Sequence, residues 1–107
     1  MRHWILVGQT PIEVSLREWA EWFDKHDREW IIEQTTVTAR DQKYNVSTVF
    51  LGIESTLEEN GVPELFETMV FTDDEAWANY EERWRSYLEA KRGHRWVKTW
   101  IGSRAKP

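Results

Sequence analysis

NVSTVFLGI, residues 45–53, is a run of β-branched and large apolar residues with almost no polar interruption. Such a run, closed by a glycine, reads as a strand rather than a helix, because branched and aromatic side chains pack well on a pleated surface. Its neighbours fix the context. WIIEQTTVTAR, residues 30–40, has the same β-branched content with loose alternation, and DQKY, residues 41–44, is a polar turn that would join the two as a hairpin. LFETMVF, residues 65–71, adds another strand, across an acidic segment, residues 54–63, bent by Asn60-Gly61 and Pro63. In the central strand Val49, Leu51 and Ile53 would share the face under a helix, leaving Val46, Thr48 and Phe50 on a partly shielded one.

Two helices are expected to supply that cover. Ser15 and Glu18 form a capping box, in which each side chain satisfies a backbone donor at the helix start. Leu16, Trp19, Ala20 and Phe23 follow at i, i+3, i+4 and i+7, so a helix over 16–25 would bury that stripe. Thr72 and Glu75 suggest a second capping box, and the spacing of Trp77, Tyr80, Trp84, Tyr87 and Leu88 predicts a helix over 73–92, ended by Gly93. HWILV, residues 3–7, and the segment after Gly8 and Pro11 read as a small hairpin. The expected fold is therefore α+β: an antiparallel sheet of four or five strands with two amphipathic helices on one face. Residues 1–93 would form a single domain, and 94–107 a basic tryptophan-containing tail, either an edge strand or loosely docked.

Composition bounds the function classes. At 107 residues the chain can bury roughly 65% of its unfolded surface around one core. It has no cysteine, so disulfides and thiolate metal sites are excluded. No stretch reaches the ~20 apolar residues of a membrane span, and the N-terminal apolar run is short for a signal peptide, so a cytoplasmic protein is expected. Charge is segregated: residues 1–89 hold all nineteen acids and eight bases, a net of −11, while 90–107 hold six bases and no acid. That tail would bind phosphate or an acidic partner, fold back on the acidic body, or remain a solvated tail that does neither.

The strand motifs bring a resemblance. VSTVFLG at 46–52, the loop with Gly61 and Pro63, and LFETMVF at 65–71 resemble a family of small uncharacterised proteins encoded by tailed bacteriophages and prophages. EWAEWFDKHDREW is similar to that family's helix followed by an Asp-Arg pair, here Asp27 and Arg28. The resemblance covers roughly residues 16–80 and implies phage origin and a shared fold, with no reaction attached. The chain departs from the family pattern after FLG, where Glu54-Ser55 stand in place of an aspartate-histidine pair.

No P-loop, GxGxxG, GxSxG or HExxH motif occurs. His3, His26 and His94 lack metal-ligand spacing and read as surface residues, so neither metal nor cofactor is expected. Glu67, set among Leu65, Met69 and Phe71, would need a cation or hydroxyl such as Arg40 or Ser47. Of eight tryptophans, Trp4, Trp19, Trp30, Trp77 and Trp84 are expected in the core. Trp22, Trp96 and Trp100 lie off the main stripes and, with Glu54, Glu58 and Glu59 of the acidic loop, form the candidate partner-binding set. The leading expectation is a non-enzymatic protein-binding factor or inhibitor of a host or phage protein, with self-association as a further form. One alternative is a nucleic-acid binder using Arg92, Arg95, Lys98, Arg104 and Lys106. A carboxylate-based hydrolase or nuclease is the other.

Overall fold

A computed structural model describes residues 1–54, 63–72 and 80–104. The chain is α+β. Strands β1 (His3–Val7) and β2 (Thr10–Val14) form a two-stranded antiparallel sheet, followed by α1 (Leu16–Lys25). Strands β3 (Ile31–Ala39), β4 (Gln42–Phe50), β5 (Phe66–Thr72) and β6 (Glu81–Trp84) form a four-stranded antiparallel sheet in that spatial order. Helix α2 (Tyr87–Arg104) closes the chain.

Local chemistry explains the turns. Gly8 takes φ +63 between β1 and β2, the conformation a two-residue hairpin asks of glycine. β3 and β4 meet with Ala39 opposite Gln42, so the turn is Arg40-Asp41, both residues left-handed at φ 50 and 63, and not the DQKY segment. Both central residues at positive φ define the I′ turn, whose twist matches that of the strands it joins.

β4 sits inside the sheet, with Val46 opposite Val70, Thr48 opposite Thr68 and Phe50 opposite Phe66. This face is the buried one, and the expected orientation of the strand is reversed: Val46, Thr48 and Phe50 face the helices while Val49 is only half-buried. The opposed residues on β5 are Val70, Thr68 and Phe66, so this choice aligns the two strands' most buried side chains on one surface. The other face carries Ser47 opposite Met69 and Val49 opposite Glu67.

Both helices cover that face. The Ser15–Glu18 capping box forms as expected, with the Glu18 N–H donating to Ser15 Oγ at 3.1 Å and the Ser15 N–H to Glu18 Oε1 at 3.2 Å. The buried stripe is rotated from the expected one: Leu16 and Ala20 are exposed, and Trp19, Trp22, Phe23 and His26 turn inward at the same i, i+3, i+4, i+7 spacing. Trp22 and Phe23 reach the Phe50 ring, at centroid distances of 6.0 and 6.2 Å. Gly52, at φ +70, lets the hairpin sheet approach, since a Cβ there would meet the Trp4 carbonyl oxygen and the Trp19 indole nitrogen. The Trp4 N–H donates to the Gly52 carbonyl at 2.7 Å across this junction.

The second helix lies elsewhere than expected. Residues 81–84 are a strand and the helix begins at Tyr87, whereas 73–79 lie outside the described residues. Ser86 caps it, accepting from the Glu89 N–H at 3.1 Å, while Glu89 reaches back to the Arg85 N–H at 3.3 Å. Gly93 does not end the helix. It sits inside it, under the Trp84 ring, where a Cβ would overlap that ring. Residues 94–104 of the supposed tail are therefore a docked part of the fold, as His94, Val97 and Ile101 are buried against β3, β4 and β5.

Candidate functional site

Helix α2 carries three kinds of residue around its circumference. Its inner face meets the sheet through Ala90, Gly93, His94, Val97 and Ile101, all buried. Against expectation, His94 has no exposed surface. Its Nδ1 lies 2.7 Å from Thr48 Oγ and its Nε2 lies 3.0 Å from Thr35 Oγ, with a Glu33 carboxylate oxygen 3.6 Å from Nε2. Thr48 and Thr68 hydroxyls are 2.6 Å apart, and the Trp84 indole N–H donates to Thr68 at 2.9 Å. The chain of bonds runs from an indole that only donates, through two hydroxyls to the imidazole, and the direction of the Thr68–Thr48–His94 part is set by which His94 nitrogen holds the proton. The carboxylate beside Nε2 favours the proton there.

Burial pushes the His94 imidazole below its ordinary range, outweighing the nearby Glu33 carboxylate. Lys91 donates to Glu33 at 2.8 Å and holds that carboxyl below the usual range. This network satisfies a histidine inside the core. It fixes the position of α2 on the sheet, and its sealed imidazole meets no solvent.

Glu67 is buried on the opposite face, but its cation is neither Arg40 nor hydroxyl Ser47. It is Arg83, its direct cross-strand partner on β6, 3.1 Å from Nε to Oε2. Burial first, and then the Glu81 carboxylate, raise the Glu67 carboxyl above its ordinary range against the pull of Arg83.

The outer flank of α2 is open. A cleft of about 530 Å³ lies between β6 and the helix, lined by Tyr80, Glu82, Trp84, Glu89, Arg92 and Trp96 over the Gly93 notch. Trp96 is 57% exposed and stacks on Trp100, with ring centroids 6.1 Å apart and planes 9° apart. Trp100 in turn meets Tyr80 at 5.6 Å. Burial, then the Glu82 carboxylate, raise the Tyr80 phenol above its ordinary range. The cleft thus has an aromatic floor with an arginine and two carboxylates at its rim.

The expected partner set divides. Trp96 and Trp100 share this flank. Trp22, however, is a core residue at 8% exposure, packed among Phe23, His26 and Phe50, because the inward stripe of α1 starts at Trp19. Glu54 is also withdrawn: it is buried, ion-paired with Arg2 at 2.7 Å, and accepts from the Trp4 indole at 3.1 Å. Glu58 and Glu59 lie outside the described residues, as do Trp77 and Lys106. Of the basic set, Arg92 and Arg95 are exposed on α2, Lys98 is half-exposed and Arg104 ends the helix. Tyr80, Trp84 and Glu82 were not foreseen as site residues, since reading 73–92 as one helix placed Tyr80 and Trp84 on its buried stripe. Among the described residues no group of three potential ligands could hold a metal ion, and no helix is long and apolar enough to cross a membrane.

No family model, curated protein or solved structure matches the chain.

Proposed function

We propose that the chain is a non-enzymatic protein-binding factor that acts by occluding a host or phage protein in the cytoplasm. The phage part of this reading comes from the strand-motif resemblance alone. The observation that carries the binding role is Trp96: a tryptophan more than half exposed, braced by Trp100, at the mouth of a cleft whose other walls are Trp84, Tyr80 and Arg92. Tryptophan, tyrosine and arginine are the residues that dominate interface energetics, and they do so best beside a preformed pocket. Rigid rings cost little entropy to immobilise, and stacking on Trp100 fixes Trp96 before any partner arrives.

The test is differential capture. Immobilised wild-type chain and its Trp96→Ala and Arg92→Glu variants, each confirmed as folded by circular dichroism, are exposed to infected-cell lysate. A protein retained by wild type and lost from both variants supports the proposal. Identical retention by all three would overturn it.

A second reading has one observation in its favour: Arg92 and Arg95 flank Trp96 on the solvent side of α2, where cations meet phosphates and an indole stacks on a base. Salt-dependent binding of single-stranded DNA that is lost in an Arg92→Glu/Arg95→Glu double variant would favour it over protein binding.

A further inference from the structure

The outer edge of β3 is a second, separate surface, on the flank of α2 away from the cleft. β3 is nine residues long, and among the described residues no strand adjoins its outer side. Its hydrogen-bonding pattern follows from the two-residue turn. The residues flanking such a turn, Ala39 and Gln42, exchange both backbone bonds, and bonded pairs then recur at every second residue. Val37, Thr35 and Glu33 therefore bond inward to β4, and the N–H and C=O groups of Gln34, Thr36 and Thr38 point outward. A register shift between Ile31 and Glu33 interrupts the start of the strand, but from residue 33 to 39 the pairing is regular, and neither proline nor lysine interrupts it. Natural sheets guard such an edge with bulges, prolines or inward charges.

What stands beside the edge is positive. Lys91, Arg95 and Lys98 follow i, i+4 and i+7 on α2, one stripe of the helix. Lys91 bonds Glu33 of β3 at 2.8 Å and His94 bonds Thr35 at 3.0 Å, so the helix runs along β3 and this stripe lies over its side of the sheet. Lys91 is spent on Glu33. Arg95 and Lys98 make no ion pair among the described residues.

We propose that this edge receives an extended acidic peptide segment of a partner protein as an added strand. Main-chain bonds to Gln34, Thr36 and Thr38 would supply affinity, and Arg95 and Lys98 would select carboxylates on the side chains that alternate toward the helix. A second copy of the chain is a poor occupant, because edge-to-edge pairing would bring two such basic stripes together.

The test uses a blocked nine-residue peptide alternating valine and glutamate, with the valine–lysine peptide as its control, binding followed by fluorescence anisotropy and by amide exchange of the full chain. The acidic peptide should bind and slow exchange at the Gln34, Thr36 and Thr38 amides. Arg95→Glu/Lys98→Glu should weaken it about tenfold, the sum of two exposed attractions turned into repulsions. Thr36→Pro, which removes an outward N–H while leaving the ladder to β4 intact, should abolish binding. Should that variant misfold, the charge reversal and the exchange pattern decide alone. Absence of binding, equal binding of the lysine peptide, unchanged affinity after charge reversal, or unprotected edge amides would each overturn the proposal. So would sedimentation showing a dimer through this edge, or oligothymidylate displacing the peptide from the stripe. Because Trp96→Ala leaves this edge untouched, failure here and failure of the cleft reading are distinguishable.

Discussion

Replacing His94 with glutamine should remove most of the loss of stability that the protein suffers between pH 7 and pH 5. In the fold the imidazole is sealed and held neutral, chiefly by burial, while in the unfolded chain it titrates at its ordinary 6.5. Below that value the unfolded state binds the extra proton and the folded state does not, so the free energy of unfolding falls as the pH falls. While His94 stays neutral in the fold, the loss approaches about 1.4 kcal/mol per pH unit and reaches about 2 kcal/mol at pH 5. Glutamine cannot take up a proton, yet its amide can still meet the hydroxyls of Thr48 and Thr35. It should cost on the order of 1 kcal/mol at pH 7 for imperfect bonding, a constant offset that leaves the slope readable. Glu33 adds a loss of the same sign, because its lowered carboxyl contributes stability above its unfolded value of 4.5 that disappears as the pH falls through the folded one. That loss lies below the window and is common to both proteins. Urea unfolding followed by tryptophan fluorescence at half-unit intervals from pH 7.5 to 5 gives both curves. The curves should cross between pH 7 and pH 5, leaving the variant the more stable of the two at pH 5 by about 1 kcal/mol. Parallel curves would refute the reasoning, and would mean that His94 takes up its proton inside the fold at no cost.

Other substitutions probe the rest of the architecture. Glu67→Gln should gain stability relative to wild type as the pH rises from 4 to 7, since a carboxyl raised above 4.5 contributes stability at acid pH that is lost as the pH climbs through its folded value. Denaturant midpoints at the two pH values check this, and a relative loss at pH 7 would mean that Arg83 outweighs burial. Gly93→Ala should destabilise by about 1–2 kcal/mol, because overlap with Trp84 exceeds the ~1 kcal/mol that alanine contributes inside a helix. Gly102→Ala, with nothing near its Cβ, should instead stabilise by up to ~1 kcal/mol, and thermal melts of the pair read the difference in sign. Trp22→Ala should cost about 3–5 kcal/mol in urea unfolding, and Trp96→Ala less than about 0.5 kcal/mol, which separates the core indole from the exposed one.

Strands β3, β4 and β5 were legible because their signal is short-range, whereas β6 was read as part of a helix. Branched residues at 31–39, 42–50 and 66–72, with glycine or polar breaks between, leave few other local structures, and the Ser15–Glu18 box marked the start of α1 directly. Which face of β4 is buried was not legible, since Val46, Thr48 and Phe50 are no more apolar as a set than Val49, Leu51 and Ile53. The choice depends on Val70, Thr68 and Phe66 across the ladder, a long-range register. The second helix was misplaced for a similar reason. Ser86-Tyr87-Leu88-Glu89 satisfies the same capping pattern as Thr72 to Glu75, and nothing local ranks one above the other. Gly93 looked like a stop, yet it is a notch for Trp84, which tertiary packing requires and propensity opposes. Once that helix was started too early, His94 fell in a tail and its burial was invisible.

The segregation of charge along the chain acquires its meaning from this correction. A basic tail that merely neutralised an acidic body would spend its cations on that body. Here Lys91, Arg92, Arg95 and Lys98 are spread around one docked helix, and among these described side chains one makes an ion pair: Lys91 binds Glu33, next to the histidine that seats the helix. Arg92, Arg95 and Lys98 make no ion pair among the described residues, and all lie outside the inner face formed by Ala90, Gly93, His94, Val97 and Ile101. The inner face already fixes the helix by apolar contact and by the hydroxyl network, so these three contribute little to its docking. Unpaired like charges held within two turns of one helix repel each other mildly, a cost that folding alone gives no reason to keep. The same three residues divide between the aromatic cleft on one flank and the open edge of β3 on the other. The sites proposed for partners are thus where the fold leaves charge and backbone bonding capacity unused.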